Sequence, residues 1–354
     1  MLLSTFIRAP RCGPQSVRAG LLCAGLALSA GLASEPAAAQ ADRPAIGGGR
    51  LQAGAADDDF GGGSCRQRAV QVNRLLERAA GTRVFGPAPD HKDIAYGNKP
   101  RQRLDVFVPK GADRAAPAPI IVMVHGGGWC VGDKALGAVT ENKVAHWVPR
   151  GFVFVSVGYP MIPDGSDALQ QAADVARAVA YVQGHAADWG GDGRRVILMG
   201  HSAGAHLVSL VNADATLRAA AGVKPILGVI ALDSGATDVP AQMQKSMPRV
   251  KGRYEEAFGT SAAGWAQASP LHRLDKSAAP WLGICSSRRA DDPCAQAQAY
   301  ADKSRALGVR AVVLPVDKGH GPINRELGQG GAYTAEVDQF LASLDPDLAR
   351  RLPR

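Results

Sequence analysis

The stretch RRVILMGHSAGAHLVSLVNA (Arg194–Ala213) passes from a short apolar run through Gly200-His201-Ser202-Ala203-Gly204 into a segment whose apolar residues recur three and four apart. The first part reads as a buried strand and the last as a helix. A strand that turns this sharply into a helix holds its middle residue in a strained backbone conformation, and the residues two before and two after must be small. The five letters alone say little in a chain with 42 glycines. Their place between strand and helix says more. It would expose the Ser202 Oγ at the carboxyl edge of a sheet and put the Ala203 N–H at a helix N-terminus, where a developing oxyanion finds a donor and a favourable dipole.

The same alternation extends in both directions. From about Asp90, RLDVFVP (Arg103–Pro109) alternates like a half-exposed strand, while PIIVMVHG, GFVFVSVGY, ILGVIALDS, PWLGICSS and RAVVLPVDKG are continuous apolar runs of strand length. Such runs suit a sheet covered on both faces. Between them VTENKVAHWVPR, DALQQAADVARAVAYVQGHAADW, AQAQAYADKSRALG and AYTAEVDQFLASL have helical periodicity. An α/β fold with a mainly parallel sheet and helices on both faces follows. Two segments fall outside the alternation: a helix before the sheet (Cys65–Gly81) and an insertion, Val239–Pro270, read as a small lid shaping the pocket or as surface decoration. No internal repeat of fixed period is present.

Composition and the amino-terminal segment bear on compartment. The chain has 354 residues, 46% hydrophobic and 5% aromatic, which suits a globular enzyme. Arg8, Arg11 and Arg18 precede or open the apolar stretch Ala19–Ala33, and Ala39-Gln40-Ala41 fits a small-x-small cleavage site. This is the plan of a secretory signal peptide at residues 1–41, with an apolar core too short for a stable span; a periplasmic or secreted protein without stable membrane insertion is expected. Cleavage there removes those arginines and Glu35 and lowers the formal charge of +8 by two. Residues 42–64, rich in glycine and without apolar periodicity, read as a linker, and 65–354 as the folded domain. The basic residues are dispersed, without an aromatic-basic stripe, so no nucleic-acid partner is expected. Of the four cysteines left after cleavage, Cys285 and Cys294 bracket a short step from strand to loop and are expected to pair, leaving Cys65 with Cys130. Their spacing does not match a metal site, and no metal or cofactor is expected.

A serine nucleophile needs further oxyanion donors, a base and an acid. His125-Gly126-Gly127-Gly128-Trp129 follows a buried strand, and its glycines let backbone N–H groups turn toward negative charge; Gly127 and Gly128 are the candidate donors. A phosphate-binding loop would require a following Lys-Ser/Thr or a G-x-G-x-x-G spacing, and neither is there. Of eight histidines, His320 alone lies just beyond a late strand on a glycine-flanked loop, in VVLPVDKGHGP, and is the candidate base. His125 reads as a brace for the glycine loop, and His201 as a pocket-lining, substrate-binding or hydrogen-bonded residue. The acid should fall between serine and histidine in chain order. Asp291 is preferred to Asp292, both on the loop after PWLGICSS; Asp233 is the outside alternative, and Asp317 is too near His320 to reach round it. Capping or turn formation is the ordinary role for Asp292 and Asp233. Trp129, Tyr159 and Trp265 are candidates for pocket walls or for core packing.

With HGGGW, GHSAG, the Asp291 region and KGHG in this order, the chain from about Asp90 to Leu344 resembles the α/β-hydrolase fold, specifically the HGGG esterases: the hormone-sensitive-lipase-like group and its arylformamidase-like neighbours. FGTSAAGWAQASP (Phe258–Pro270) is similar to the segment such proteins carry before the acid strand. The resemblance implies a triad of Ser202, His320 and an aspartate at 291 or 292, with Gly127, Gly128 and Ala203 as the oxyanion hole. It departs from the family at CSSRRADDPC (Cys285–Cys294), which replaces the usual glycine-containing turn before the acid. The expectation is a carboxylic-ester hydrolase for a small short-chain or aryl ester; an arylformamide or amide hydrolase and a catalytically silent binding protein are the alternatives. Oligomeric state is not readable.

Overall fold

The computed structural model describes residues 63–78, 84–111, 116–246 and 248–352. The expected signal peptide, and the linker apart from its last two residues, lie outside the described residues. Eight strands form one sheet: β1 (His91–Ala95), β2 (Arg103–Phe107), β3 (Ala118–Val124), β4 (Val153–Val157), β5 (Gly191–His201), β6 (Gly228–Leu232), β7 (Trp281–Ser286) and β8 (Ala311–Val316). Their spatial order is β1-β2-β4-β3-β5-β6-β7-β8; β1 and β2 run antiparallel to their neighbours and the rest are parallel. The mainly parallel α/β architecture is thus the one the alternation predicts.

The apolar composition of the inner strands has a direct cause. Every residue of β3, β4, β6 and β7 is buried. Successive side chains point to opposite faces, so Ile120, Val122 and Val124 join one core while Ile121 and Met123 join the other. Helices Ala168–His185, Ala203–Ala213 and Pro293–Ala306 cover the first face; Gly137–Trp147 and Gly331–Ala342 cover the second. The long helix over the first face begins at a reciprocal cap, Asp167 accepting from the Gln170 N–H at 2.8 Å while Gln170 Oε1 accepts from the Asp167 N–H at 3.0 Å.

The sheet edges differ from expectation. β1 is largely exposed and carries His91, Lys92 and Asp93, an edge composition that hides a strand from hydrophobic periodicity. β2, expected to be half exposed, is buried over four of its five residues, because Lys134 Nζ sits 2.9 Å from Asp105 Oδ2 and lets that carboxylate go inside. β8, expected to be covered on both sides, is the opposite edge and partly exposed; Pro315, which cannot donate to a ladder, fits there. Both expected disulfides are formed, Cys65–Cys130 and Cys285–Cys294.

Candidate active site

Ser202 sits on the tight turn between β5 and helix Ala203–Ala213 with φ 55° and ψ −119°, a strained conformation for a residue with a Cβ. The turn is held by the Ser202 N–H, which donates to the Leu232 carbonyl at 2.9 Å on the adjoining strand. Close approach explains the second glycine of the motif: a Cβ on Gly204 would run into the Val124 and His125 carbonyls. Those carbonyls begin the glycine loop, so elbow and loop touch directly. A Cβ on Gly126 would lie 3.0 Å from the Ser202 Cβ.

The loop itself is a tight turn in which the Gly127 carbonyl accepts from the Cys130 and Val131 N–H groups, each at 3.1 Å. Gly127 has φ 117°, and a Cβ there would strike the Val131 carbonyl. His125 braces this loop, as expected: its ring stacks on Tyr159 with centroids 4.4 Å apart, and the Tyr159 hydroxyl donates to the His125 carbonyl at 2.9 Å. Tyr159 is therefore fully buried in the framework rather than a pocket wall. Burial lowers the His125 imidazole to about 4, so the brace is neutral.

Trp129, next in the chain, is buried among aromatic rings from the insertion, 4.7 Å from Phe258 and 5.8 Å from Tyr254 between centroids. The insertion, folded as helices Val239–Lys245, Pro248–Phe258 and Ala262–Gln267, thus reaches the glycine loop. Trp129 Nε1 donates to His206 Nδ1 at 3.3 Å, which leaves the His206 Nε2–H to donate to the Ala268 carbonyl at 2.7 Å. Burial lowers that imidazole as well, to about 4. Trp265 is partly buried and donates to the Gly259 carbonyl at 2.9 Å, just past the end of the preceding helix.

His320 opens helix His320–Arg325 four residues beyond β8 and is 6% exposed. Its Nδ1 donates to Asp233 Oδ2 at 2.6 Å. The carboxylate on His320 is therefore Asp233, not Asp291. Strand register gives the reason: His201 lies opposite Leu232 and Leu232 opposite Ile284, so Ser202 and Asp233 are each one step past neighbouring strand ends. Asp291, five residues beyond the end of β7, instead lies on Arg289, with Nε–Oδ1 at 2.9 Å and Nη2–Oδ2 at 2.5 Å. Asp292 caps helix Pro293–Ala306 by accepting from the Ala295 N–H at 3.1 Å. Asp317 pairs with Arg288 at 2.6 Å.

Asp233 has φ 58° and is fully buried, with Oδ1 accepting from the Ser286 N–H at 2.8 Å and Oδ2 also accepting from Arg289 Nη1 at 2.9 Å. Burial pushes this carboxyl up, but the His320 hydrogen bond, the Arg289 charge and the Ser286 N–H outweigh it and hold it well below the usual carboxylate range. It is an anion with three donors. The signal that could have placed it is in ILGVIALDS: an acid ending a continuous apolar strand, between serine and histidine in chain order. Arg289 carried no such signal.

His201 does not line a pocket. It is fully buried, its Nε2–H donates to the His320 carbonyl at 3.1 Å, and the two rings lie 4.5 Å apart. Burial and the neighbouring His320 hold it well below the usual imidazole range, so it donates as a neutral ring. The residue before Ser202 thereby fastens the His320 loop to the elbow. Among the described residues the group of possible metal ligands is Cys65, Cys130 and Glu256, and its two sulfurs are joined to each other, so no thiolate is offered. No described helix is long and apolar enough to cross a membrane.

A mainly parallel sheet with a strained serine after its fifth strand, an acid after the sixth and a histidine after the last defines an α/β-hydrolase. Residues 104–299 match the BD-FAE family, and the chain belongs to it. Among curated relatives, a probable isoprenylcysteine alpha-carbonyl methylesterase of Arabidopsis thaliana is 35% identical over 118 residues, 33% of this chain and 24% of that protein. Esterase LipC of Mycobacterium tuberculosis is 28% identical over 64% of this chain and 59% of its own length. The chain thus spans about a quarter of the plant relative and under two thirds of the mycobacterial one. Esterase B from Lactobacillus rhamnosus shares the fold with TM-score 0.60 at 20% identity, covering 80% of this chain and 94% of that one. Thermogutta terrifontis esterase 2 does so with TM-score 0.60 at 21% identity, covering 73% and 96%.

Proposed function

We propose that the protein is a carboxylic-ester hydrolase of the HGGG type that acts on small short-chain or aryl esters through an acyl-enzyme on Ser202. His320 Nε2 takes the proton from the Ser202 hydroxyl as its oxygen attacks the ester carbonyl carbon. Asp233 keeps the imidazole proton on Nδ1, so that Nε2 is the basic nitrogen, and stabilises the imidazolium that forms. The N–H groups of Gly127, Gly128 and Ala203 receive the negative charge on the carbonyl oxygen. The alcohol leaves with the proton from His320, and a water molecule, deprotonated by the same nitrogen, releases the acid.

The observation that carries this reading is the 2.6 Å bond between His320 Nδ1 and a buried aspartate whose strand neighbours the one that ends in Ser202. The names of the relatives, esterases and methylesterases, agree with it. The protein is further proposed to be exported to an oxidising compartment, a reading supported by the pairing of all four described cysteines and by the leader-like residues 1–41. Turnover of p-nitrophenyl acetate and butyrate by the wild type and Ser202→Ala tests the reaction. Loss of at least about 1,000-fold in kcat/KM is expected; a Ser202→Ala protein that keeps its turnover would remove Ser202 from the mechanism.

A further inference from the structure

Asp233 is not shared with His320 alone. Arg289, on the loop after β7 and partly buried, places Nη1 2.9 Å from Asp233 Oδ2, 3.3 Å from the Asp233 carbonyl and 2.9 Å from His320 Nδ1. The last distance is a meeting of two donors converging on one carboxylate oxygen. The outer edge of the guanidinium is gripped by both oxygens of Asp291. The result is a chain of alternating charge, Asp291–Arg289–Asp233, that ends on the imidazole.

We propose that Arg289 is a positioning residue for the base: it fixes the Asp233 carboxylate on His320 and places a permanent positive charge against the ring that is to take the Ser202 proton. The proposal rests on the hydrolase reading above. Arg289 brings a permanent positive charge, and Asp233 a negative one, within 3 Å of the same ring nitrogen. Asp291 acts one step removed, offsetting part of the Arg289 charge. The other groups around His320 come from several elements. The neutral His201 ring approaches from the end of β5. Lys143 donates to the Asn324 carbonyl at 2.6 Å from helix Gly137–Trp147. Tyr333 donates to the Ile323 carbonyl at 2.8 Å from helix Gly331–Ala342. On the loop of His320 itself, Asp317 and Lys318 are paired with Arg288 and Glu326. Of these charged groups, Arg289 and Asp233 are the pair in direct contact with Nδ1.

Charge sign makes the test specific. In pH profiles of kcat/KM for a p-nitrophenyl ester, Arg289→Gln should move the acid limb upward by about one pH unit or more, because the opposing cation is gone. Asp291→Asn, at an exposed site, should move it downward, because the cation is then less offset. Arg289→Lys should keep the limb within about half a unit of wild type while lowering kcat, since charge survives and the forked geometry does not. A purely structural role for Arg289 predicts lower activity with all limbs unmoved, and that result, or shifts of the same sign in Arg289→Gln and Asp291→Asn, would overturn the proposal. If Arg289→Gln does not fold, the opposed behaviour of Asp291→Asn and Arg289→Lys still decides it. Retained turnover in Ser202→Ala would instead strike the underlying reaction, so the two failures are distinguishable.

Discussion

Ser202, Asp233 and His320 each occupy a position whose backbone serves the site before the side chain does. Ser202 and Asp233 both have positive φ at the ends of adjacent parallel strands, a cost of order 1–3 kcal/mol apiece that the surrounding sheet sustains. Both residues stand at the same rim of the sheet, one step past the ends of β5 and β6. The identity of the acid is where the two aspartates can be told apart by experiment. Asp233→Asn should lower kcat by about 10,000-fold, because an amide in that place no longer holds the Nδ1 tautomer, whereas Asp291→Asn should stay within about tenfold of wild type. Steady-state kinetics on one p-nitrophenyl ester distinguishes them; the opposite ranking would return the acid to the loop after β7. Strand-end position made the places of Ser202, His320 and the glycine loop in the fold readable. The choice of Asp291 followed distance from a strand end, and it missed that Arg289, two residues earlier, pairs with that carboxylate.

The loops that carry these residues are fixed by ties to neighbouring elements. Cys65, at the start of helix Cys65–Arg78, is bonded to Cys130, directly after the glycine loop, and its N–H donates to Glu256 Oε2 of the insertion at 2.8 Å. One residue thus connects the first helix, the glycine loop and the insertion. The Cys65–Cys130 bond spans 65 residues of sequence and Cys285–Cys294 spans 9. Loop-closure entropy assigns them about 4 and about 2.5 kcal/mol. Thermal unfolding of the two double Cys→Ser variants should therefore show the larger fall in Tm for the first pair; equal or reversed effects would mean that unfolded-state closure does not govern their contribution. The inner strands and covering helices were legible because full burial leaves unbroken apolar runs. β1 was not, since an exposed edge of five residues with three polar or charged positions has no pattern to distinguish it from a turn. The burial of β2 was hidden for another reason: the Lys134 partner of Asp105 comes from a distant loop.

Burial also makes the stability of the fold depend on pH in a definite direction. His125 and His206 titrate near 4 in the folded chain because they are enclosed, against 6.5 for an exposed imidazole. Above 6.5 both states leave the rings neutral, and this part of the stability is intact. As pH falls from 6.5 toward 4, the unfolded chain takes protons that the folded chain refuses, and stability is lost, on the order of 3 kcal/mol per ring at the lower end. Tm measured between pH 7.5 and 4.5 should decline across that interval, and His206→Phe should flatten part of the slope; a Tm independent of pH would show that these rings are not held neutral. The sheet, the elbow, the brace at His125 and the Asp233–His320 pair converge on one proposed consequence, a Ser202 oxygen made nucleophilic by His320. Labelling with an organophosphonate, followed by peptide mapping of wild type and His320→Ala, examines that consequence without assuming a substrate. The wild type should carry one adduct, on Ser202, formed far faster than in His320→Ala; an adduct on another residue, or undiminished labelling without the imidazole, would contradict it.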